Sequence, residues 1–273
     1  GYARSYATQT LSFNWYHQIF GSGYDPAVGY MPRKGYKRIS PSGNYLFYPK
    51  SDVVVSHGPN VDFVFIWDDI YGFTDHDHRL GYDFNFRNNG SASINYRDVY
   101  TYLFNDFDPT NSPSGETIVR LPAFSDYRYR SVEARYQSDP RKPFNIGLNA
   151  SVGGYFNGDR VNLRGTFNYR FQPYGVISLN ANYNKISLPE PYKSADIYLL
   201  GPRFDLTLTK SVFFTTFFQY NSQYNNVNIN SRFQWRFKPV SDLFIVYTDN
   251  YYYSFDDPQY NFNVKSRAIV VKL

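Results

Sequence analysis

The chain has no cysteine, a single methionine, three tryptophans and four histidines among 273 residues. Without thiols it can form neither a disulfide nor a thiolate metal site. No apolar run reaches about 18 residues, so no transmembrane helix is encoded. Nucleophile-elbow, phosphate-loop and zincin patterns are all missing, and the scarcity of histidine leaves few general bases. A non-enzymatic protein without a cofactor is therefore expected. The net charge of +5 is modest, and the basic residues are dispersed, which argues against nucleic acid as a partner. Mean hydropathy is below zero. That value carries little weight, because a transmembrane barrel alternates lipid-facing and lumen-facing residues and dilutes its own average. No leader segment is in view, and a chain starting at Gly1 reads as a mature or truncated product.

What the sequence has in abundance is aromatic residues, with 29 tyrosines and 25 phenylalanines. They are set in a period of two. In VNLRGTFNYRF, Val161, Leu163, Phe167, Tyr169 and Phe171 occupy one phase, and Asn162, Arg164, Thr166, Asn168 and Arg170 the other. Successive strand side chains point to opposite faces, so this is a two-faced strand. Its length matches a tilted strand crossing a bilayer, about 9 to 11 residues. The pattern recurs in TLSFNWY, LGYDFNFR, FNIGLNASV, GVISLNANYN and NVNINSRFQWRF. A helix would need a period of 3.6.

Turn-forming stretches separate the runs. Short ones lie at 87–91, 138–143, 172–175, 209–211 and 238–241, and alternate with longer ones at 103–126, 188–195 and 254–260. Outer-membrane barrels have short periplasmic turns and longer external loops. Two connectors depart from this rule: 157–159 is tight on the outer side and 48–60 is long on the inner side. The expected fold is all-β, one transmembrane antiparallel up-and-down barrel spanning 1–273, with about 14 strands and both ends periplasmic. A soluble propeller would show a blade repeat of about 40 to 50 residues, and none recurs. The lipid face should include Leu148, Leu163, Phe167, Leu179, Phe233 and Trp235.

Some segments do not alternate. Phe213 and Phe217 fall in the polar phase of VFFTTFFQY, and LFIVY at 243–247 is apolar throughout. Their inner residues call for a plug, a loop, one another or a second subunit to pack on. The loop 103–126 carries Phe104, Phe107, Ile118, Leu121 and Phe124, too many apolar groups to float free, so it should fold over or into the mouth. Tyr251 to Tyr253 read as an interfacial girdle in preference to a sugar-stacking platform. Asp75 to His78 reads as a solvated loop tip; if extended, it would offer His76 and His78 on one face to a metal, with a further ligand still required. Asp68-Asp69 and Asp256-Asp257 read as ordinary loop charge, since no calcium-loop pattern surrounds them.

The polar phase supplies candidate pore-lining residues: Arg164, Arg170, Arg232, Arg236, Arg87 and Arg97, with Asp83, Glu133 and Asp205 as counter-charges. Two roles follow. One is a porin-like or substrate-specific channel; the other is a non-conducting structural or accessory subunit that anchors a larger outer-membrane assembly, its arginines braced by those acids.

Four segments, GYDPAVGYMPRKGYKR (23–38), DPRKPF (139–144), YFNGDRVNL (155–163) and RFQWRFKPVSDLFIVYTD (232–249), resemble the C-terminal domain of unknown function found in many Bacteroidota-type outer-membrane proteins. In that family a domain like carbohydrate-binding module family 9 commonly precedes the barrel. The resemblance implies a bacterial outer-membrane location, contact with lipid and lipopolysaccharide, other outer-membrane proteins and glycans as partners, and an upstream domain outside this chain. It brings no catalytic residues. The last strand ends at Leu273 without the aromatic end expected of many barrels, which suggests further C-terminal residues or an altered closure.

Overall fold

The computed structural model describes residues 1–24, 33–113, 115–253 and 262–273. Among them the chain forms fifteen strands: β1 (Tyr2–Ala7), β2 (Leu11–Phe20), β3 (Tyr36–Tyr45), β4 (Val54–Asp68), β5 (Gly72–Phe86), β6 (Ser91–Leu103), β7 (Ser125–Gln137), β8 (Phe144–Tyr155), β9 (Gly158–Phe171), β10 (Gly175–Ser187), β11 (Ala195–Thr207), β12 (Val212–Asn221), β13 (Asn226–Lys238), β14 (Ser241–Tyr252) and β15 (Asn263–Lys272). The strands pair in sequence order within a single sheet, every pair antiparallel. A 3₁₀ turn at Ser222–Tyr224 is the helical element among the described residues.

The expected count of about 14 is exceeded by one. None of the periodic segments covers Tyr2–Ala7, which pairs residue for residue with Ser12 to His17. An odd count places the start of β1 and the end of β15 at opposite ends of the sheet, in contrast to the expected periplasmic location of both. Pairing is described as far as β1 on one side and β15 on the other, and no β1–β15 ladder occurs among the described residues. The connector expected at 48–60 is shorter, since β4 begins at Val54. The connector between β8 and β9 is tight, as expected: Phe156 takes a left-handed φ of 52° there.

The register decides which residues share a face. Arg164 stands opposite Asn149 and Asn182, while Leu163 stands opposite Ala150 and Tyr183. Carried across the ladders, Leu148, Leu163, Phe167, Leu179, Phe233 and Trp235 all fall on one apolar face. This face is exposed. Only Val99, Leu121 and Ile186 are buried hydrophobics among the described residues, whereas Leu80, Ile94, Val132, Leu163 and Trp235 are open. The accessible surface is 17355 Å². A compact globular protein of this mass would expose about 12,000 Å².

The segment between β6 and β7 does not float. Phe107 and Leu121 pair as an isolated bridge, Phe107 packs on Phe156 with ring centroids 5.0 Å apart, and Leu121 is fully buried. Asp108 organises the loop's own turn, accepting hydrogen bonds from the Thr110 hydroxyl at 2.6 Å and the Ser112 N–H at 2.6 Å. Burial alone would raise the Asp108 carboxyl. These donors outweigh it and hold the group below the usual carboxylate range. Further along, Gln223 Nε2 donates to the Thr110 carbonyl at 3.1 Å, and Lys193 pairs with Glu116. The loop thus reaches from β6 and β7 to the turn between β12 and β13. Residues 254–260, including Asp256-Asp257, lie outside the described residues.

Candidate functional site

The polar face forms the candidate site. Because the strands alternate, every second side chain of β2 to β9 points to it, and there it borders an open cavity of about 920 Å³. Asn60, Arg79, Asp83, Asn95, Arg135 and Arg164 are among its walls. Gly81 lies in the middle of this lining. A Cβ there would stand 2.2 Å from Asn95 Oδ1 and 2.5 Å from Asn60 Oδ1, so the glycine makes room for the two amides.

The nine expected wall residues divide by partner. Arg97 forks onto Asp77, with Nε to Oδ1 at 2.7 Å and Nη2 to Oδ2 at 2.5 Å. Arg236 reaches Asp242 at 3.3 Å and stands 6.0 Å from the centre of the Phe213 ring. Each of the three acids already has donors: Asp83 accepts from Asn60 at 2.6 Å, Glu133 from Arg135 at 2.8 Å and from Asn149, and Asp205 from Arg203 at 2.7 Å and Thr215 at 3.0 Å. Arg164, Arg170 and Arg232 have no side-chain hydrogen bond or ion pair among the described residues, though all three share the polar face. Arg87 belongs elsewhere. It falls just past the end of β5, in the short turn, where its Nε donates to the Ser51 carbonyl at 2.6 Å.

Sequence reading passed over Arg79, Arg135, Asn60, Asp62 and Asn95, which occupy the same wall. Their phase gives them away, since Arg79 lies two positions from Gly81 and four from Asp83 along β5. The two polar-face phenylalanines have local partners. Phe217 fills the space above Gly201, where a Cβ would meet its ring at 3.3 Å.

The β4–β5 end of the sheet is tied by charge. Arg33 binds Asp75 at 2.7 Å and Thr74 at 2.7 Å, reaches Asp68 at 3.3 Å, and lies 4.5 Å from the Phe104 ring centre. Asp68 also caps the tight β4–β5 turn through the N–H groups of Ile70 and Tyr71, and Asp69 stands 3.6 Å from Lys37. Both therefore have structural partners. At the opposite end of the strands, Asp139 closes the β7–β8 turn by accepting from the Arg141 N–H at 2.9 Å. That bond and the Arg141 guanidinium hold its carboxyl below the ordinary range.

The segment 75–78 is not a loop tip. It lies inside β5, with Asp75 and Asp77 on the polar face and His76 and His78 on the apolar one. No family model matches the chain, and no curated protein matches it in sequence.

Proposed function

We propose that the sheet closes into a barrel in a bacterial outer membrane, its apolar face against lipid and lipopolysaccharide, and that its polar face lines a path for anionic or polar solutes. The observation that carries this reading is the division of one continuous sheet into an exposed apolar face and a polar face that holds arginines without acidic partners. In water such an apolar face would be costly, at about 25 cal/mol per Å². In lipid it is the favoured surface, with aliphatic residues such as Leu80, Val132 and Leu163 at mid-strand and aromatics such as Trp67, Phe73, Phe84 and Tyr169 nearer the ends.

The hydrogen bond from Gln223 Nε2 to the Thr110 carbonyl links the segment after β6 to the turn between β12 and β13, six strands further along the sheet, a contact that a curved sheet accommodates readily. Direct closure would set β1 and β15 side by side in parallel, because an odd number of alternating strands gives both the same direction. An additional antiparallel strand between them would close the barrel with an even number.

Guanidinium groups stay ionised and bind carboxylate or phosphate in a forked geometry, so Arg164, Arg170 and Arg232 favour anions. The experiment is a planar-bilayer recording under a salt gradient, which should give a reversal potential of anionic sign. One observation favours the other role: the segment 104–124 stretches over the loop end of the sheet. A correctly folded protein that passes no current, with or without this segment, would leave the barrel as an anchor within a larger outer-membrane assembly, with other membrane proteins and glycans as its partners.

A further inference from the structure

We infer that His76, His78 and Asp98 form a binding site for one divalent transition-metal ion, zinc being the first choice, on the apolar face between β5 and β6. The two-residue period of β5 sets both imidazoles on this face, and the ladder places Asp98 of β6 directly opposite His78. One ligand atom from each of the three lies within 4.8 Å of the others. The His76 and His78 rings are parallel, 6° apart in plane with centroids at 4.2 Å.

Two observations point to a ligand here. The His76 side chain is only 10% exposed, yet its Nε2 and that of His78 have no hydrogen-bond partner. The nearest acid atom, Asp98 Oδ1, stands 3.7 Å from His76 Nε2, beyond hydrogen-bond reach. Burying such a nitrogen unpaired is unfavourable, and the lone pair of a neutral imidazole is a metal ligand. The surroundings also fit. Phe63, Phe65, Phe73 and Tyr100 pack around the two rings and limit access of water.

Arg128 grips Asp98 through Nε at 3.1 Å and Nη2 at 2.6 Å, which fixes the carboxylate while each oxygen retains a second lone pair. Zinc binds nitrogen and oxygen at about 2.0 to 2.2 Å, so tetrahedral ligand atoms stand roughly 3.3 Å apart. The 3.7 Å gap lies near that spacing, and the three ligand atoms, all within 4.8 Å of one another, would move inward to close on the ion. Two imidazoles and one carboxylate favour zinc, cobalt, nickel or copper over the oxygen-seeking calcium and magnesium. A water would complete the shell.

The test uses the full chain, refolded in detergent and free of any histidine tag, titrated with cobalt as a spectroscopic stand-in for zinc. One equivalent should bind with the visible absorption of a tetrahedral or five-coordinate site, and zinc should displace it. The double variant His76→Gln/His78→Gln should lose the signal. Asp98→Asn should weaken binding at least tenfold, while His17→Gln/His57→Gln should leave it unchanged. Absence of a saturable cobalt spectrum in the folded wild type overturns the site whatever the variants do. Binding that survives in His76→Gln/His78→Gln overturns it as well.

Discussion

Two sectors of the polar face use the same residue types differently. On β4 to β7 the acids Asp62, Asp75, Asp77, Asp83 and Glu133 stand among Arg79, Arg97 and Arg135, and most of these charges are bonded to one another or to an asparagine. On β8 to β13 the lattice is one of amides, Asn145 with Asn168 and Asn162 with Asn182, and arginine outnumbers acid. Only Arg203 and Arg236 find carboxylates there, while Arg164, Arg170 and Arg232 do not. The first sector is a brace in which most charges are bonded, Arg79 and Asp62 being the exceptions among the described residues. The second leaves ionised donors open on the polar face, so the two sectors differ in the field they present there.

The largest expected effect breaks this contrast by charge reversal. Arg164→Glu with Arg232→Glu should move the reversal potential from anion to cation preference, because neither group is bonded to an acid. Arg97→Glu should do less to selectivity, since Asp77 already offsets that charge, and should instead loosen the fold by setting two acids together. Equal selectivity changes from the two sectors would contradict the division.

Stability should show the reverse order. Removing Asp77 by Asp77→Ala strips Arg97 of both its bonds and should cost about 1 kcal/mol, the low end for a charged pair because both side chains are about a third exposed. Arg164→Ala should stay within about 0.5 kcal/mol. Urea unfolding in lipid vesicles measures both. Gly81→Val, by pushing Asn60 and Asn95 aside, should cost about 1 to 3 kcal/mol, and the same exchange should narrow the cavity.

A smaller effect concerns the loop above the two sectors. The Asp108 carboxyl is held below its ordinary range, so the ordering it confers is fully present above the unfolded value and is lost as pH falls through the folded one. Proteolysis within 104–124 should therefore be slow at neutral pH and rise only on strong acidification. Asp108→Asn should show the faster cleavage already at neutral pH. A wild-type cleavage rate that does not change with acid would remove Asp108 from the account.

Much of this architecture was legible because period-two sequence has one reading. The segments LGYDFNF, FNIGLNASV and NVNINSRFQWRF all lie within strands, and nearly all their polar residues share one face. Tyr2–Ala7 escaped because alanines at 3 and 7 blur the alternation. The start of β4 escaped because Gly58-Pro59 looks like a turn. In the structure Pro59 falls where the β3–β4 ladder is interrupted between Asn60 and His57, so its missing N–H breaks no bond to β3. Partner choice was less legible than face. Whether Glu133 meets Arg135 or Arg164, and that Asp98 stands opposite His78, depends on register, which the hydrophobic pattern fixes only to the nearest face.

The most direct test of the central claim, an apolar face in lipid and a polar face in water, exploits the absence of cysteine. Single cysteines at Leu148, Leu163, Leu179 and Phe233, and at Asn149, Arg164, Asn182 and Arg232, would carry a fluorescent label in reconstituted vesicles. Quenching by nitroxide lipids should pick out the first set, and quenching by an aqueous ion should pick out the second. Aqueous quenching of the first set, or lipid quenching of both, would contradict a membrane barrel with this face outward.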